Sequence, residues 1–363
     1  MPTEAPSRFQ TLHEIVKAAR GNLAQGPWDY LMGGSESETT LRRNRLALDR
    51  LAFRPRVLND VSAVERRSTF LGRPIRLPVL LAPIGSIEFF APEGGAAAAK
   101  AAAAFGVPQF LSSVCNPTLE EVAAAADNLR VFQLYVRGDD AYVDDHVRRA
   151  ADHGYAGFCI TVDTAVYSRR ERDTAKRWSR PWRQGVTGRE FQAAFSWDQV
   201  KRFKDKHSLP LALKGIATAE DAELACAHGV EMVYVSNHGG RQLDHGRGAI
   251  EMLPEVVRAV AGRACVIVDG GFMRGTDVVK ALALGADLVG IGRLECLGLA
   301  ADGVAGLVRA LELLEDEIYS CLGLLGVSRL DQLDATYLHA GEPVREPHVT
   351  SAFNLLNLAD EGY

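Results

Sequence analysis

A nine-residue stretch in the second half of the chain holds its most reactive combination of side chains. Residues 236–244 read Ser-Asn-His-Gly-Gly-Arg-Gln-Leu-Asp, so His238 and Arg241 lie three positions apart. Histidine titrates near neutral pH and serves as a general base, and the arginine fork matches the two oxygens of a carboxylate. A histidine followed by two glycines is also found in ordinary loops. The stretch therefore predicts acid–base chemistry on an anionic substrate only if other polar groups join it.

Polar side chains also lie on or just after most of the short apolar runs of the chain. If these runs are parallel strands, their carboxyl ends meet at one edge and the polar groups converge there. Taken singly, each has other uses, since Asp163 fits a helix N-cap and Lys214 fits a Schiff-base lysine. Together they indicate an active site. They are Gln133, Tyr135, Thr161, Asp163, Lys214, Ser236 and Asp269.

Glycine-rich turns follow the last two apolar runs. Gly271 closes the seventh run and Arg274 follows it, and Gly292 and Arg293 close the eighth. Glycine lets backbone N–H groups approach an anion closely, and guanidinium groups bind phosphate oxygens. Two tight turns with surface arginines would look the same. Their place in the order of strands, where barrels often bind phosphate, favours a phosphate site.

The rhythm of the chain supplies a framework for these residues. From about residue 77, eight Val/Ile/Leu-rich runs alternate with helix-like stretches, several of which end in glycine. Continuous apolar runs are typical of strands buried on both faces. Eight repeats predict an α/β fold, a closed (β/α)₈ barrel, and no Gly-x-Gly-x-x-Gly turn supports an open doubly wound sheet. The runs are Pro78–Pro83, Gln109–Ser113, Val131–Val136, Gly157–Asp163, Leu209–Gly215, Met232–His238, Cys265–Gly271 and Leu288–Arg293.

Other segments flank or interrupt this pattern within a predicted single domain, 1–363. Residues 1–76 are predicted to be an N-terminal helical segment, 77–325 the barrel and 326–363 a C-terminal tail. Residues 169–195 are rich in Arg, Trp and Gly and lack a strong period. Such a stretch predicts a long loop at the carboxyl ends of the strands, in the place of a lid.

Composition narrows the range of partners. The charge of −5 gives no reason to expect nucleic acid or an anionic membrane. The uncharged residues 101–119 contain two prolines, which argues against a spanning helix. The six cysteines include no Cys-x-x-Cys pair, which favours a reducing compartment over disulfides or zinc. We therefore expect a cytoplasmic protein that binds a small molecule, without a metal, a nucleic acid or a membrane.

The chain closely resembles the FMN-dependent family that oxidises L-2-hydroxy acids, which includes glycolate and lactate oxidases and mandelate dehydrogenases. The resemblance runs in register from about residue 10 to residue 340. The segments that carry it are Trp28-Asp29-Tyr30, Phe53-Arg54-Pro55-Arg56, Ala82-Pro83, Pro92-Glu93-Gly94, Phe132-Gln133-Leu134-Tyr135, Thr161-Val162-Asp163, Arg169-Arg170, Leu213-Lys214-Gly215, residues 236–244 and Asp269-Gly270-Gly271.

The resemblance implies a role for each matching position. His238 is expected to be the base that removes a proton from the substrate hydroxyl or α-carbon, and Asp163 is expected to orient it. Lys214 is expected beside the N1–C2=O edge of the flavin. The expected clamp for the substrate carboxylate is Tyr30, Tyr135, Arg170 and Arg241. The other expected FMN-binding residues are Pro83, Ile84, Gly85, Ser112, Gln133, Thr161, Ser236, Asp269, Gly271, Arg274, Gly292 and Arg293.

Three positions and one loop depart from the family pattern. Met273-Arg274 replaces two consecutive arginines, so one phosphate anchor is missing, and the expectation is that either Arg274 substitutes for it or FMN binds more weakly. Gly85 lacks a Cβ where oxidases commonly have alanine, and Val114 replaces the tryptophan of glycolate oxidases. A roomy, apolar pocket is therefore expected. The loop after the fourth strand is shorter than in many relatives, which argues against a membrane-binding insertion.

These expectations combine into one hypothesis with alternatives from other classes. The chain is expected to oxidise an L-2-hydroxy acid with a medium-to-large apolar or aromatic side chain, using FMN. Reduced flavin would pass its electrons to oxygen or another acceptor, and the family resemblance implies a homo-oligomer, often a tetramer. The alternatives are a non-flavin lyase with Lys214 as Schiff base, and an FMN barrel that is an isomerase or a redox-silent flavin binder.

Overall fold

The computed structural model describes residues 8–178 and 187–357. Eight parallel strands form a closed barrel in the order β10-β11-β4-β5-β6-β7-β8-β9, and each overlaps one of the eight predicted runs. The predicted (β/α)₈ barrel is therefore confirmed. The strands are β4 (Val79–Leu81), β5 (Gln109–Ser112), β6 (Arg130–Leu134), β7 (Gly157–Thr161), β8 (Leu211–Ile216), β9 (Met232–Val235), β10 (Cys265–Asp269) and β11 (Leu288–Ile291).

Helices connect and surround these strands. The four glycines expected to end helices all have positive φ, the conformation that glycine adopts without strain; they are Gly106, Gly154, Gly229 and Gly285. Reciprocal capping bonds between Thr118 and Glu121 fix the start of one helix. The helices are α4 (Gly95–Phe105), α5 (Leu119–Ala125), α6 (Asp140–Asp152), α9 (Trp197–Lys206), α10 (Ala219–Ala227), α11 (Ala249–Val260), α12 (Gly275–Ala283) and α13 (Arg293–Leu325).

The N-terminal segment is less uniformly helical than predicted. It holds α1 (Leu12–Asn22), α2 (Gln25–Met32) and α3 (Thr39–Asp49), and then three strands, β1 (Leu51–Phe53), β2 (Ser68–Phe70) and β3 (Arg73–Ile75). Three-residue strands are too short to show a period of two, so no pattern in the sequence predicted them. Phe70 and Ile75 of the β2–β3 hairpin pack with residues inside the barrel, such as Phe110 and Tyr234.

The C-terminal part of the chain returns to the N-terminal segment. Helix α13 has a non-helical break at Asp302 and Gly303. The tail contains β12 (Leu338–Ala340), which pairs with β1 in an antiparallel sheet. Among the described helices, none is both long and apolar enough to cross a membrane.

The long loop predicted after β7 contains α7 (Glu171–Ala175) and α8 (Arg189–Ala194). Residues 179–186 of the predicted lid lie outside the described residues. Gln192 attaches α8 to the barrel, because its side chain accepts a hydrogen bond from the backbone of Val136 (2.7 Å) and donates one to the Thr161 carbonyl (2.9 Å). Helix α8 therefore lies over the carboxyl ends of β6 and β7.

Candidate active site

A large cavity opens at the carboxyl ends of the barrel strands, where this fold places its chemistry. It contains about 1250 Å³ free of protein atoms, part of it open to solvent. Many of the residues predicted from the sequence line it together. They are Tyr30, Pro83, Ile84, Gly85, Tyr135, Arg170, Lys214, His238, Arg241, Asp269, Gly271, Gly292 and Arg293.

His238 is held between a carboxylate and a phenol. Its Nδ1 lies 3.1 Å from Asp163 Oδ1, and its Nε2 lies 3.2 Å from the Tyr135 hydroxyl. We assign the Nδ1 proton to the bond with Asp163, which leaves Nε2 unprotonated. Gly215 makes this arrangement possible, because a Cβ there would lie 2.6 Å from the Asp163 Cβ.

The charge state of His238 follows from its surroundings. Burial lowers the pKa of His238 below its ordinary value of 6.5, and the opposing effect of Asp163 does not restore it. The imidazole is therefore neutral at pH 7, which is the form that accepts a proton. Its backbone has a positive φ of 59°, and its N–H donates to the Ser236 hydroxyl (2.9 Å).

Lys214, Ser236 and Asp269 form a second hydrogen-bonded group, here called the lysine group. Lys214 Nζ lies 3.1 Å from Asp269 Oδ2 and 2.8 Å from Ser236 Oγ, which donates to Asp269 Oδ1 (2.5 Å). Burial opposes the charge of Lys214, but Asp269 and then Asp163 outweigh it and raise the pKa of Lys214. The lysine is therefore a compensated ammonium ion and not a free amine.

Arg241 and Arg293 meet at a single backbone oxygen and are here called the arginine pair. Arg241 Nη1 donates to the carbonyls of Tyr30 (2.6 Å) and Gly33 (2.9 Å). Arg293 Nη2 donates to the same Gly33 carbonyl (2.9 Å), and its Nη1 donates to the Gly239 carbonyl (3.0 Å). Burial, and then the charge of Arg241, lower the pKa of Arg293 to about 9. Within the described residues, no carboxylate hydrogen-bonds to either guanidinium group.

The other predicted clamp residues share this wall of the cavity. The Tyr30 hydroxyl donates to the Gly85 carbonyl (3.1 Å), and the Arg241 guanidinium lies 4.5 Å from the centre of the Tyr30 ring. Arg170 Nε donates to the Ser168 hydroxyl (3.1 Å). The structure therefore brings Tyr30, Arg170 and Arg241 to the same cavity as His238.

The turn after β10 is shaped by its backbone. Gly270 and Gly271 have φ angles of 115° and 92°, which side chains other than glycine rarely adopt. The Asp277 carboxylate accepts a hydrogen bond from the N–H of Met273 (3.0 Å) and is paired with Arg45 (2.8 Å). This buried pair fixes the turn and places Met273, which is 2% exposed, in the cavity wall.

The expectation that Arg274 belongs to the phosphate site is wrong. Its Nη2 lies 2.6 Å from Glu317 Oε1 of α13, and its Nη1 donates to the Ala352 carbonyl (3.1 Å). The side chain points away from the cavity because Glu317 neutralises it there. Arg274 therefore does not supply the phosphate anchor that is missing at position 273.

Five predicted residues lie behind the cavity wall. Ser112 and Gln133 are neighbours across β5 and β6, and Thr161 pairs with Lys214 across β7 and β8. Gln133 Nε2 donates to Thr161 Oγ1 (2.8 Å), while Gln133 Oε1 is buried and has no hydrogen-bond partner in the described structure. Ser236 and Asp163 hydrogen-bond to Lys214 and His238, respectively, and these two residues line the cavity.

The cavity wall also contains residues that the sequence reasoning did not assign, among them Arg137, Tyr167 and Arg189. Arg137 could have been found, because it follows Tyr135 by two positions at the end of the same strand. Arg189 could not, because its place depends on how α8 folds back over the barrel.

Comparison with known proteins identifies the family. Residues 19–340 match the family model described as FMN-dependent dehydrogenase. The chain belongs to this family. It is 38% identical to an L-lactate oxidase from Nostoc sp. over 355 residues, which cover 90% of this chain and 97% of that protein. It is 40% identical to glycolate oxidase 1 from Zea mays over 347 residues, which cover 90% of this chain and 94% of that protein.

Solved structures of family members agree with the fold. A mandelate oxidase in complex with 3,3-difluoro-2-hydroxy-3-phenylpropionic acid gives a TM-score of 0.85 at 40% identity, covering 93% of this chain and 100% of that chain. A soluble mutant of the membrane-associated (S)-mandelate dehydrogenase from Pseudomonas putida gives 0.86 at 34%, covering 91% and 99%. The resemblance seen in the sequence is therefore confirmed, and FMN is the cofactor of the family.

The residues present fit FMN. The buried, unpartnered Gln133 Oε1 is an acceptor suited to a ring N–H of a flavin. The glycine-rich turn and Arg293 offer backbone N–H groups and a cation to a phosphate. The non-flavin lyase does not fit, since the raised pKa of Lys214 keeps its amine protonated.

Proposed function

We propose that this chain oxidises an L-2-hydroxy acid to the 2-oxo acid, with a medium-to-large apolar or aromatic side chain on the substrate, as in mandelate. One observation carries the proposal. A neutral imidazole, His238, is hydrogen-bonded to Asp163 and Tyr135 in a cavity that also holds the arginine pair. Such a site can bind a carboxylate and accept a proton from a carbon or oxygen next to it.

In this proposal His238 is the base. Its Nε2 accepts a proton from the substrate hydroxyl or α-carbon, and the resulting imidazolium is stabilised by Asp163 at Nδ1. Tyr135 lies within hydrogen-bond reach of the same Nε2 (3.2 Å). A bound substrate can replace Tyr135 as the hydrogen-bond partner of this nitrogen. The lowered pKa of His238 keeps the base unprotonated at neutral pH.

Arg170, Arg241, Tyr30 and Tyr135 orient the substrate through its carboxylate. The substrate carboxylate would supply the counter-ion that Arg241 lacks within the described residues, so binding is favoured at this place in the cavity. Orientation by a fixed carboxylate holds the α-carbon near His238, and such positioning is a large part of enzymatic rate enhancement.

When bound, FMN supplies a two-electron acceptor that oxygen or another carrier can reoxidise. Lys214 would place its positive charge at the N1–C2=O edge of the ring, where charge develops on reduction. Arg293 would face the phosphate. The remaining proposed FMN-binding residues are Pro83, Ile84, Gly85, Ser112, Gln133, Thr161, Ser236, Asp269, Gly271 and Gly292.

Small and apolar residues support the choice of substrate side chain. Gly85 and Val114 both line the cavity, and a Cβ at Gly85 would lie 2.9 Å from Val114 Cγ2. Ile84 and Phe90 line the same cavity. A wall of this kind gives a hydrocarbon side chain an apolar contact surface, which is favourable because it removes that surface from water.

The visible spectrum of the purified protein tests the proposal. Under anaerobic conditions we expect the oxidised-flavin band to bleach with (S)-mandelate and not with (R)-mandelate, and less readily with glycolate. A flavin band that no 2-hydroxy acid bleaches would contradict the oxidation. Readmitting oxygen, and separately adding a dye acceptor, then shows which acceptor restores the band.

Two further expectations stay predictions: a cytoplasmic location and a homo-oligomer, tetrameric by family resemblance. Light scattering on the purified holoprotein measures the second directly.

A further inference from the structure

Two side-chain amides join the loop that carries His238 to a helix of the N-terminal segment, and they are here called the amide pair. Asn44 lies on α3 and is 1% exposed, and Asn237 directly precedes His238. Asn44 Nδ2 donates to Asn237 Oδ1 (3.0 Å), and Asn237 Nδ2 donates to Asn44 Oδ1 (2.7 Å). Each amide is both donor and acceptor to the other, so each fixes the orientation of its partner.

The backbone from His238 to Gly240 depends on the side chain of Asn237. His238, Gly239 and Gly240 have φ angles of 59°, 63° and 75° in succession. A residue with a Cβ adopts this region against a steric penalty, and it does so where the surrounding contacts impose it. The Gly240 N–H closes the turn by donating to both the backbone carbonyl (3.0 Å) and Oδ1 (3.1 Å) of Asn237. Asn237 therefore helps to hold His238 in its left-handed conformation.

Contacts beyond the loop fix the amide pair in turn. Asn44 Oδ1 also accepts a hydrogen bond from the N–H of Ala249, the first residue of α11 (2.9 Å). Asn237 Nδ2 also donates to the carbonyl of Arg247, two residues before that helix (2.9 Å). The amide pair thus connects the loop of His238 to α3 and to the start of α11.

The glycine-rich turn after β10 packs directly against the amide pair. A Cβ at Gly270 would lie 3.2 Å from Asn237 Oδ1 and 3.3 Å from Asn44 Oδ1. A Cβ at Gly271 would lie 3.1 Å from Asn44 Cβ. The amide pair therefore lies between the loop that carries the base and the turn assigned above to the cofactor phosphate, and it fixes their relative position.

The clamp end of the same loop has anchors of its own. The Gly240 carbonyl accepts hydrogen bonds from the N–H (3.0 Å) and the hydroxyl (3.3 Å) of Ser35. The Arg241 guanidinium is held by two backbone carbonyls of the N-terminal segment. A change in the amide pair is therefore expected to displace His238 and to leave Arg241 in place.

We propose that Asn44 and Asn237 are positioning residues for His238. They act through the backbone of the loop and keep Nε2 of the base where the proton is transferred. This inference rests on the proposed function, because the proton transfer is that of the proposed oxidation.

The kinetics of flavin reduction separate positioning from substrate binding. In anaerobic stopped-flow measurements on holoenzyme with (S)-mandelate, Asn237→Ala should lower the limiting rate by about 10²-fold, the effect of a displacement of about 1 Å at the reacting groups. The substrate concentration that gives half the limiting rate should change by less than about threefold, since Arg241 keeps its anchors.

A double-mutant cycle tests whether the two amides act as a pair. Asn44→Ala should lower the limiting rate in the same way, because Asn237 loses its partner on α3. The variant Asn44→Ala/Asn237→Ala should be within about threefold of Asn237→Ala, since both substitutions remove the same contact. A double variant slowed by the product of the two single effects would contradict the pairing.

Amide hydrogen exchange of the holoenzyme gives a readout that is independent of activity. In Asn44→Ala, peptides covering residues 236–244 should exchange faster than in the wild type by about tenfold or more, because the acceptor of the Gly240 N–H is no longer fixed from α3. Exchange at the wild-type rate in this segment would overturn the proposal.

Asn128→Ala is the matched control. Asn128 is a buried asparagine whose side chain bonds to Gln109 and Arg130, the first residues of β5 and β6. It therefore lies at the amino ends of the strands, away from the cavity. Its substitution should leave the limiting rate and the exchange of residues 236–244 within about twofold of wild type, even where it lowers stability.

An equal fall in the limiting rate in Asn128→Ala would overturn the proposal, as would an unchanged rate in both single variants of the amide pair. If an alanine variant does not fold, Asn237→Ser decides. Its hydroxyl can still accept from the Gly240 N–H but is too short to reach Asn44, so an intermediate fall is expected. A wild-type flavin that no 2-hydroxy acid reduces would remove the proposed oxidation itself, whereas a reducible wild type with unchanged variants removes only the role of the amide pair.

Discussion

Lys214 and the arginine pair are cations in the same cavity, and the protein provides opposite kinds of partner for them. Lys214 is buried, whereas Arg241 and Arg293 are half-buried. Lys214 has a carboxylate at 3.1 Å and a hydroxyl at 2.8 Å, and its pKa is raised. Arg241 and Arg293 share one carbonyl oxygen and have no carboxylate hydrogen-bonded to them in the described chain, and the pKa of Arg293 is lowered to about 9.

The difference shows which counter-ions the protein supplies and which ones a ligand must supply. A buried charge is costly unless it is paired. The lysine group has its counter-ion within the protein, so its charge is fixed whether or not a ligand is bound. The arginine pair keeps two like charges together through backbone carbonyls, and an anion entering the cavity relieves both. His238 is like Lys214 in this respect, because its partner Asp163 is also part of the protein.

The largest effect is expected at His238, which is paired with Asp163 and is the proposed base. His238→Ala should slow flavin reduction by 2-hydroxy acid by about 10⁴-fold or more, because His238 is the one histidine in the described lining of the cavity. FMN should stay bound, since the lysine group and the glycine-rich turn are untouched. Anaerobic stopped-flow absorbance measures the rate, and the flavin-to-protein absorbance ratio measures occupancy. Near-normal reduction would remove His238 from the mechanism.

Asp163→Asn weakens the same pair without removing the base. The rate should fall by a smaller factor, about 10²-fold to 10³-fold, because the imidazolium loses its counter-ion. Wild-type activity should rise with pH as His238 loses its proton, through a pKa below 6.5. Since Asp163 raises the pKa of His238, its removal should move this acid limb to still lower pH. An acid limb that moves upward would mean that Asp163 does not act on His238.

Stability separates the two kinds of cation. Lys214→Met removes the cationic partner of the buried Asp269, which keeps its hydrogen bond from Ser236, so the free energy of unfolding should fall by about 3–5 kcal/mol. Arg241→Met removes one of two like charges, while Arg293 still donates to the Gly33 carbonyl. Its free energy of unfolding should change by no more than about 1 kcal/mol. Urea unfolding of FMN-free protein measures both, so that cofactor binding does not enter.

Arg170→Met is the control, because it removes a cation of the cavity that belongs to neither group. KM for a 2-hydroxy acid is measured in the same variants. Arg241→Met should raise KM for a 2-hydroxy acid even though it leaves stability unchanged. Equal destabilisation by Lys214→Met and Arg241→Met would break the distinction between a compensated and an uncompensated cation.

Sequence reasoning succeeded where one strand end decided the position of a side chain. His238, Lys214 and Asp269 each lie at or near the carboxyl end of a continuous apolar run, and the barrel brings the ends of such runs together. It failed where a distant segment decided. Arg274 turns away because Glu317, 43 residues later in the chain, neutralises it, and Arg189 enters the cavity because Gln192 reaches β6 and β7. No local pattern contains those contacts.

The smallest expected effect concerns Met273, where a substitution would add a further arginine to the wall of the cavity. Met273 lines the cavity on a turn that Asp277 and Arg45 hold in place, while Arg274 is committed to Glu317. An arginine at position 273 would add a cation beside the glycine-rich turn without disturbing those bonds. Met273→Arg should therefore lower the Kd for FMN by about tenfold, the usual value of one more charge-assisted hydrogen bond to a phosphate.

Quenching of free FMN fluorescence by FMN-free protein measures that Kd directly. Met273→Gln has nearly the same length without the charge and should bind FMN as the wild type does. Riboflavin, which lacks the phosphate, should gain nothing from Met273→Arg. If riboflavin gained as much as FMN, the new arginine would be acting on the ring, and the glycine-rich turn would not be the phosphate site. If neither gained, the wild-type turn and Arg293 would already satisfy the phosphate, and an arginine at position 273 would add nothing to phosphate binding in this chain.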